Sequence, residues 1–205
     1  MWRKIGKPYP LPDAPAGGYR AWKPDLAREA NARCVYCCIH ESKFGGARNF
    51  HVEHYRPKSL RPDLKDNYGN PFYACAICNC FKSDDWPADP VEGDLDGPGY
   101  PDPSLTDYST FLEVERTTGL VRSHCRTGKY LIERLHLNRA QMTGLRMVLG
   151  QLDRLNAVVK LIGQFSLAGQ IPSEMKDQVI DMLVNVAQLN QKISSARPYA
   201  EGETR

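Results

Sequence analysis

Apolar positions along the chain change period near residue 138, and that change divides the sequence into two kinds of structure. Beyond it, Met142, Leu145, Leu149, Leu152, Leu155, Val159 and Ile162 recur at helical spacing, and Asn138 followed three residues later by Gln141 resembles a capping box. Ser173 opens another such stretch, with Met175, Val179, Met182, Leu183, Val186 and Leu189 on one face. Both stripes read as ordinary packing faces. Upstream the pattern is shorter. Phe50 to Tyr55 has strand-like residues after the Gly45-Gly46 turn, Cys37 to Lys43 offers a preceding strand, and Phe72 to Ser83 suits a short helix. The predicted order there is strand, strand, helix. Phe111 to Val114 and Leu120 to Ser123, joined through Thr117-Thr118-Gly119, predict a second small hairpin.

Prolines and glycines mark the boundaries. Pro8, Pro10, Pro12, Pro15 and Pro24 with Gly17-Gly18 predict an extended arm, followed by a helix candidate from Asp25 to Arg33. The expected organisation is an arm and short helix over 1–33, a small core over 34–85, an acidic Pro/Gly-rich linker or loop over 86–109, and a hairpin with a mainly α-helical region over 110–205. The fold class is α+β. There is no internal repeat.

Composition narrows the picture. A hydrophobic share of 41% and a charged share of 25% are those of a folding chain. No apolar run approaches the roughly 18 residues that span a bilayer, and Met1-Trp2-Arg3-Lys4-Ile5-Gly6-Lys7-Pro8 has no apolar signal core, so the expectation is a cytoplasmic protein without a membrane partner. The net charge of +3 is unevenly spread: residues 1–66 carry 13 Lys/Arg against 7 Asp/Glu, and residues 91–125 carry 2 against 7. The basic end can meet a polyanion.

Seven cysteines, with two pairs at two-residue spacing, favour metal over disulfides in such a chain. Cys34-Val35-Tyr36-Cys37 and Cys75-Ala76-Ile77-Cys78 are two knuckles whose four thiolates suit a structural Zn²⁺. Cys38 and Cys80 stand beside ligand positions, which leaves swapped ligation open, and Cys125 reads as a small core residue.

Between the knuckles lie His51-Val52-Glu53-His54-Tyr55-Arg56-Pro57-Lys58 and, further on, Asn70 five residues before Cys75; Asn79 directly follows Cys78, and Lys82 comes three later. Over roughly residues 34 to 82 this order resembles the HNH endonucleases, which have a ββα-metal fold with a variant fastened by zinc on four cysteines. Glu53 stands where Asp is more usual, Asn79 where His is often found, and Pro71 where Leu typically follows the Asn. The resemblance implies His54 as general base and Asn70 as the residue that fixes the histidine's loop. It also implies a catalytic Mg²⁺ or Mn²⁺ held by the oxygens of Glu53 and Asn79, with Lys82, Lys58 and Arg56 as candidate phosphate contacts. His51 shares a strand face with Glu53. Adjacent strand residues point to opposite faces, so Glu53 and His54 serve one centre only if the strand ends or bulges there.

The function this implies is metal-dependent hydrolysis of nucleic acid, DNA being the expected substrate. A non-catalytic zinc module that binds nucleic acid or protein is the alternative, and a purely structural helical adaptor ranks last. More faintly, the compact N-terminal core followed by Tyr130-Leu131-Ile132-Glu133-Arg134-Leu135-His136-Leu137-Asn138 and Arg146 resembles HNH effectors of Septu-type bacterial anti-phage systems. That resemblance implies an ATPase partner protein.

Overall fold

The computed structural model describes residues 1–166 and 173–195. They fall into two compact units, Met1–Thr143 and Gly144–Arg205. The architecture is α+β, with small antiparallel sheets and helices.

In the first unit the N-terminal arm is extended but packed. Trp2 and Ile5 are buried, and the Trp2 indole N–H donates to the Tyr36 carbonyl at 2.7 Å. Lys7 donates to the Pro71 carbonyl at 2.7 Å and to Glu29 at 3.1 Å, and lies over the Phe72 ring at 4.2 Å. The first helix, α1 (Lys23–Glu29), starts and ends earlier than the sequence predicts. Pro24 suits its first turn, and Asn31 and Ala32 at positive φ turn the chain out of helical geometry before Arg33.

Strand β1 (Phe50–His54) pairs antiparallel with β2 (Pro71–Cys75), in a register that sets Glu53 opposite Phe72 and His54 opposite Pro71. This corrects the expected pairing with Cys37 to Lys43. Cys38 adopts a left-handed conformation at φ 60°, which curls the chain so that the Cys34 N–H reaches the Ile39 carbonyl at 2.9 Å, and Glu41–Lys43 is a 3-10 turn. A segment closed into that loop has no edge to give β1.

The expected helix over Phe72 to Ser83 is also half strand. Phe72 and Tyr73 are buried, Tyr73 stacks on Phe50 with centroids 4.7 Å apart, and Pro71 occupies the first strand position, where a missing N–H is tolerated. Helix α2 (Ala76–Lys82) begins only at Ala76, with Cys75 as its N-cap.

The acidic stretch is a loop whose Tyr100 and Tyr108 are buried. Strands β3 (Glu113–Val114) and β4 (Val121–Arg122) form the second hairpin, and α3 (Arg126–Arg134) follows. Cys125 is half-buried and caps α3, its sulfur accepting from the Gly128 N–H at 3.4 Å, so it is a cap rather than a core residue. Asn138 does not form a capping box: its amide donates to the Val121 carbonyl at 2.9 Å and accepts the Val121 N–H at 2.7 Å, tying α3's exit to β4.

Helix α4 (Ala140–Ser166) begins at the end of the first unit, and α5 (Ser173–Ser195) lies in the second. Met175, Val179, Met182 and Val186 are the less exposed positions of α5, as their spacing predicts, whereas Leu152 and Val159 of α4 and Leu183 of α5 are exposed. The side chains of Ile162 and Leu189 lie outside the described residues. Among those residues no helix is long and apolar enough to cross a membrane.

Asp85 fastens the loop and α3 to the end of α2. Its carboxylate accepts from the Tyr100 hydroxyl at 2.6 Å, from the Tyr130 hydroxyl, and faces Arg134 at 3.1 Å. Partial burial works to raise this acid, but the two hydroxyls and the Arg134 charge hold it below its ordinary value of 3.8. A depressed acid adds stability that is present above the unfolded value and fades as pH falls through the folded one. Asp85→Ala is therefore expected to cost about 2 kcal/mol in urea unfolding at pH 7. The difference from the parent should shrink below about pH 4.

Candidate metal centre and adjoining cleft

Cys34, Cys37, Cys75 and Cys78 are buried, with sulfur atoms all within 4.8 Å of one another. Cys37 and Cys75 are 3.7 Å apart, too far for a disulfide and close to the edge of about 3.8 Å that a tetrahedron with 2.3 Å Zn–S bonds requires. The donor set, its spacing and its closure in protein all fit zinc in a structural role. Among the described residues neither Cys38 nor the exposed Cys80 belongs to the cluster.

Local structure aims these thiols. In the first knuckle the Cys38 N–H returns to the Cys34 carbonyl at 2.9 Å, so Cys34 and Cys37 converge across one turn. In the second, Cys75 ends β2 and Cys78 sits in the first turn of α2, its N–H donating to the Cys75 sulfur at 3.4 Å. A two-residue gap at a helix start thus points both sulfurs one way.

Arg139, which the sequence did not single out, lies against this cluster. Its guanidinium reaches the Cys37 sulfur at 3.6 Å and the Cys78 sulfur at 3.9 Å, while donating to the Leu135 and His136 carbonyls at 3.4 and 3.2 Å. Four thiolates around a divalent ion leave two negative charges, which a half-buried guanidinium offsets in part. The same contact ties the start of α4 to both knuckles, although more than 60 residues separate Arg139 from Cys78.

Beside the cluster, a cleft of about 600 Å³ is lined by Glu53, His54, Asn79 and Lys58 among others. Glu53 and His54 reach it together because β1 ends at His54. His54 donates from Nε2 to the Lys65 carbonyl at 3.0 Å; a carbonyl only accepts, so the ring's proton sits on Nε2 and Nδ1 carries the lone pair. Burial lowers the affinity of His54 for a second proton; the Lys65 carbonyl opposes this, and the Lys58 and Lys82 charges add to it. The imidazole is thereby kept neutral at neutral pH.

Asn70 does not line the cleft. Its side chain accepts the Arg56 N–H at 2.8 Å and donates to the Arg56 carbonyl at 3.0 Å and to the Leu64 carbonyl at 3.3 Å, pinning the chain that leaves His54. His51 is exposed and lines the same cleft.

Two expected phosphate contacts are corrected. Lys82 is fully buried, its ammonium 2.7 Å from the Glu53 carboxylate and 3.1 Å from the His54 carbonyl, so it supports β1 from beneath instead of meeting a ligand. Arg56 turns from the cleft to Asp89, which its Nε reaches at 2.7 Å. Lys58 is exposed at the cleft, its ammonium 3.3 Å from the Tyr19 hydroxyl.

Glu53 is itself buried. Desolvation raises its carboxyl to about 6, against the pull of Lys82 and the Tyr36 hydroxyl at 3.4 Å. Asp84, also on the cleft, pushes in the same direction as burial. Glu53, Asn79 and Asp84 each bring side-chain oxygen atoms to the lining of this cleft. Asp84, one acid after Lys82-Ser83, has no sequence pattern of its own. Tyr36, between two knuckle cysteines, likewise has no pattern that marks its contact with Glu53.

Comparisons with protein-family models, curated proteins and solved structures match nothing to this chain.

Replacing Arg139 by Ala is expected to weaken zinc retention by about 10- to 100-fold in chelator competition, with Lys recovering part because it keeps charge but not the fork. Lys82→Met strands a buried carboxylate and should cost about 3–5 kcal/mol in urea unfolding. Adding Glu53→Leu to that variant should restore part of the loss.

Proposed function

We propose that the protein is a metal-dependent phosphodiester hydrolase of the HNH kind, cutting nucleic acid, with DNA the expected substrate and His54 the general base. The observation that carries this reading is the state of His54: Nε2 spent on the Lys65 carbonyl, Nδ1 left basic, in a cleft that also presents Glu53, Asn79 and Lys58.

Hydrolysis joins a water oxygen to phosphorus and breaks a P–O ester bond, so a proton must leave the water, and the departing oxygen takes one from solvent water. Nδ1 of His54 is the acceptor for the first. The ring is aimed from both sides, by the Lys65 carbonyl on its far nitrogen and by Lys82 and Asn70 on the backbone that bears it. Lys58 offers its exposed charge to a phosphate oxygen, and Asn79 and Glu53 would hold the Mg²⁺ or Mn²⁺ that supplies Lewis acidity toward the phosphate and the leaving oxygen.

The alternative, a zinc module that binds without cutting, draws support from one contact: Lys82 already engages a Glu53 oxygen. Plasmid incubated with Mg²⁺ or Mn²⁺ separates the two. Under the hydrolase reading His54→Ala lowers the cleavage rate by about 10²- to 10⁴-fold. Cleavage that survives the substitution removes His54 as the base. A place in bacterial anti-phage defence, in the cytoplasm and beside an ATPase, is the outer part of the proposal. It is supported by the faint resemblance of the 130–138 stretch and tested by co-purification of a companion ATPase.

A further inference from the structure

We infer that Tyr19, Arg20 and Lys23 form a second wall of the cleft that grips the phosphodiester backbone of nucleic acid, together with Lys58 and Lys65, and delivers it to His54. The identity of the polyanion rests on the hydrolase reading; the wall itself rests on its own geometry.

The cleft beside His54 adjoins a further cavity of about 500 Å³, and the two share Tyr19, Arg20 and Lys58. Lys23 lines the first and Lys65 the second. Together they make a continuous path with cations along its length. Glu53 and Asp84 line only the first cavity. The second cavity has one carboxylate, Asp66, and that group is engaged: its Oδ1 accepts the Tyr19 N–H at 2.9 Å.

Tyr19 organises the wall. Gly17 and Gly18, at φ 104° and 70°, make the turn that presents it, and a side chain at Gly18 would meet the Asp66 oxygen at 3.2 Å. The ring sits edge-on to His54, with centroids 4.5 Å apart. Lys58 lies 5.5 Å above it and Arg20 5.7 Å, so both cations are held by an aromatic face. Among the described residues no carboxylate pairs with Arg20, Lys23 or Lys58. Lys65 faces Asp66 at 4.0 Å, but among the described residues Arg20, Lys23 and Lys58 have no acidic partner within ion-pair distance, and their charge is free for phosphates.

The test is fluorescence anisotropy of the zinc-loaded full chain with labelled single-stranded and duplex DNA, across a salt series and with no Mg²⁺ or Mn²⁺ added. Each phosphate contact contributes about 0.7 to 0.9 to the slope of log affinity against log salt. The double variant Arg20→Ala/Lys23→Ala should flatten the slope by about 1.4 to 1.8. Arg122→Ala, a surface arginine paired with Glu115 away from the cleft, should leave it unchanged. An unchanged slope in the double variant, an equal loss in the control, or no salt-dependent binding by the parent would each overturn the inference. A parallel cleavage assay keeps the two readings apart. Cleavage that depends on His54, with a slope indifferent to Arg20 and Lys23, sinks the wall and spares the hydrolase. A slope that falls as expected, with no cleavage, does the reverse.

Discussion

Four sulfur atoms drawn within 4.8 Å of one another are the constraint on which this fold turns. They join a loop near residue 34 to a strand-helix junction near residue 78, and everything that lines the cleft from the chain between them is held at both ends. The sheet is too small to hold itself: two five-residue strands are marginal alone in water. A zinc ion at such a cluster is worth on the order of 10 kcal/mol of apparent folding energy, comparable to the whole stability of a small domain. The arm adds to this through Trp2 and Lys7, and Arg139 closes the cluster from the other side.

The second determinant is a buried polar chain that runs from Tyr36 through Glu53 to Lys82 and on to the His54 carbonyl. Buried charges persist only when paired, and this pairing draws β1 down onto α2. The result is an acid and an imidazole, adjacent in sequence, that both reach one cleft.

Much of this was legible in the residues. The two cysteine pairs announce their cluster because a two-residue gap has few other uses in a chain of this kind, and Phe50 to Tyr55 reads as the strand that β1 forms. What misled was local pattern without tertiary context. Phe72 to Cys75 reads as helix until Phe50 and Tyr73 are seen to stack, and Cys37 to Lys43 reads as strand because a left-handed Cys38 leaves no mark in composition. Asn138 has the spacing of a cap, yet β4 needed its amide more. Lys82 shows the same limit at the site: a lysine on a helix reads as solvent-facing, and only the position of Glu53 reveals that it is buried. Arg139 and Tyr19 carry no motif; their meaning comes wholly from what the fold sets beside them.

The orientation of the His54 ring depends on a backbone carbonyl eleven positions downstream. A carbonyl cannot be exchanged by point substitution, so no change of residue type at Lys65 by itself removes that acceptor. Spacing is what matters. Insertions or deletions between Pro57 and Leu64 would swing the peptide plane away and let the imidazole change tautomer, so the length of this segment constrains the ring more tightly than its composition does.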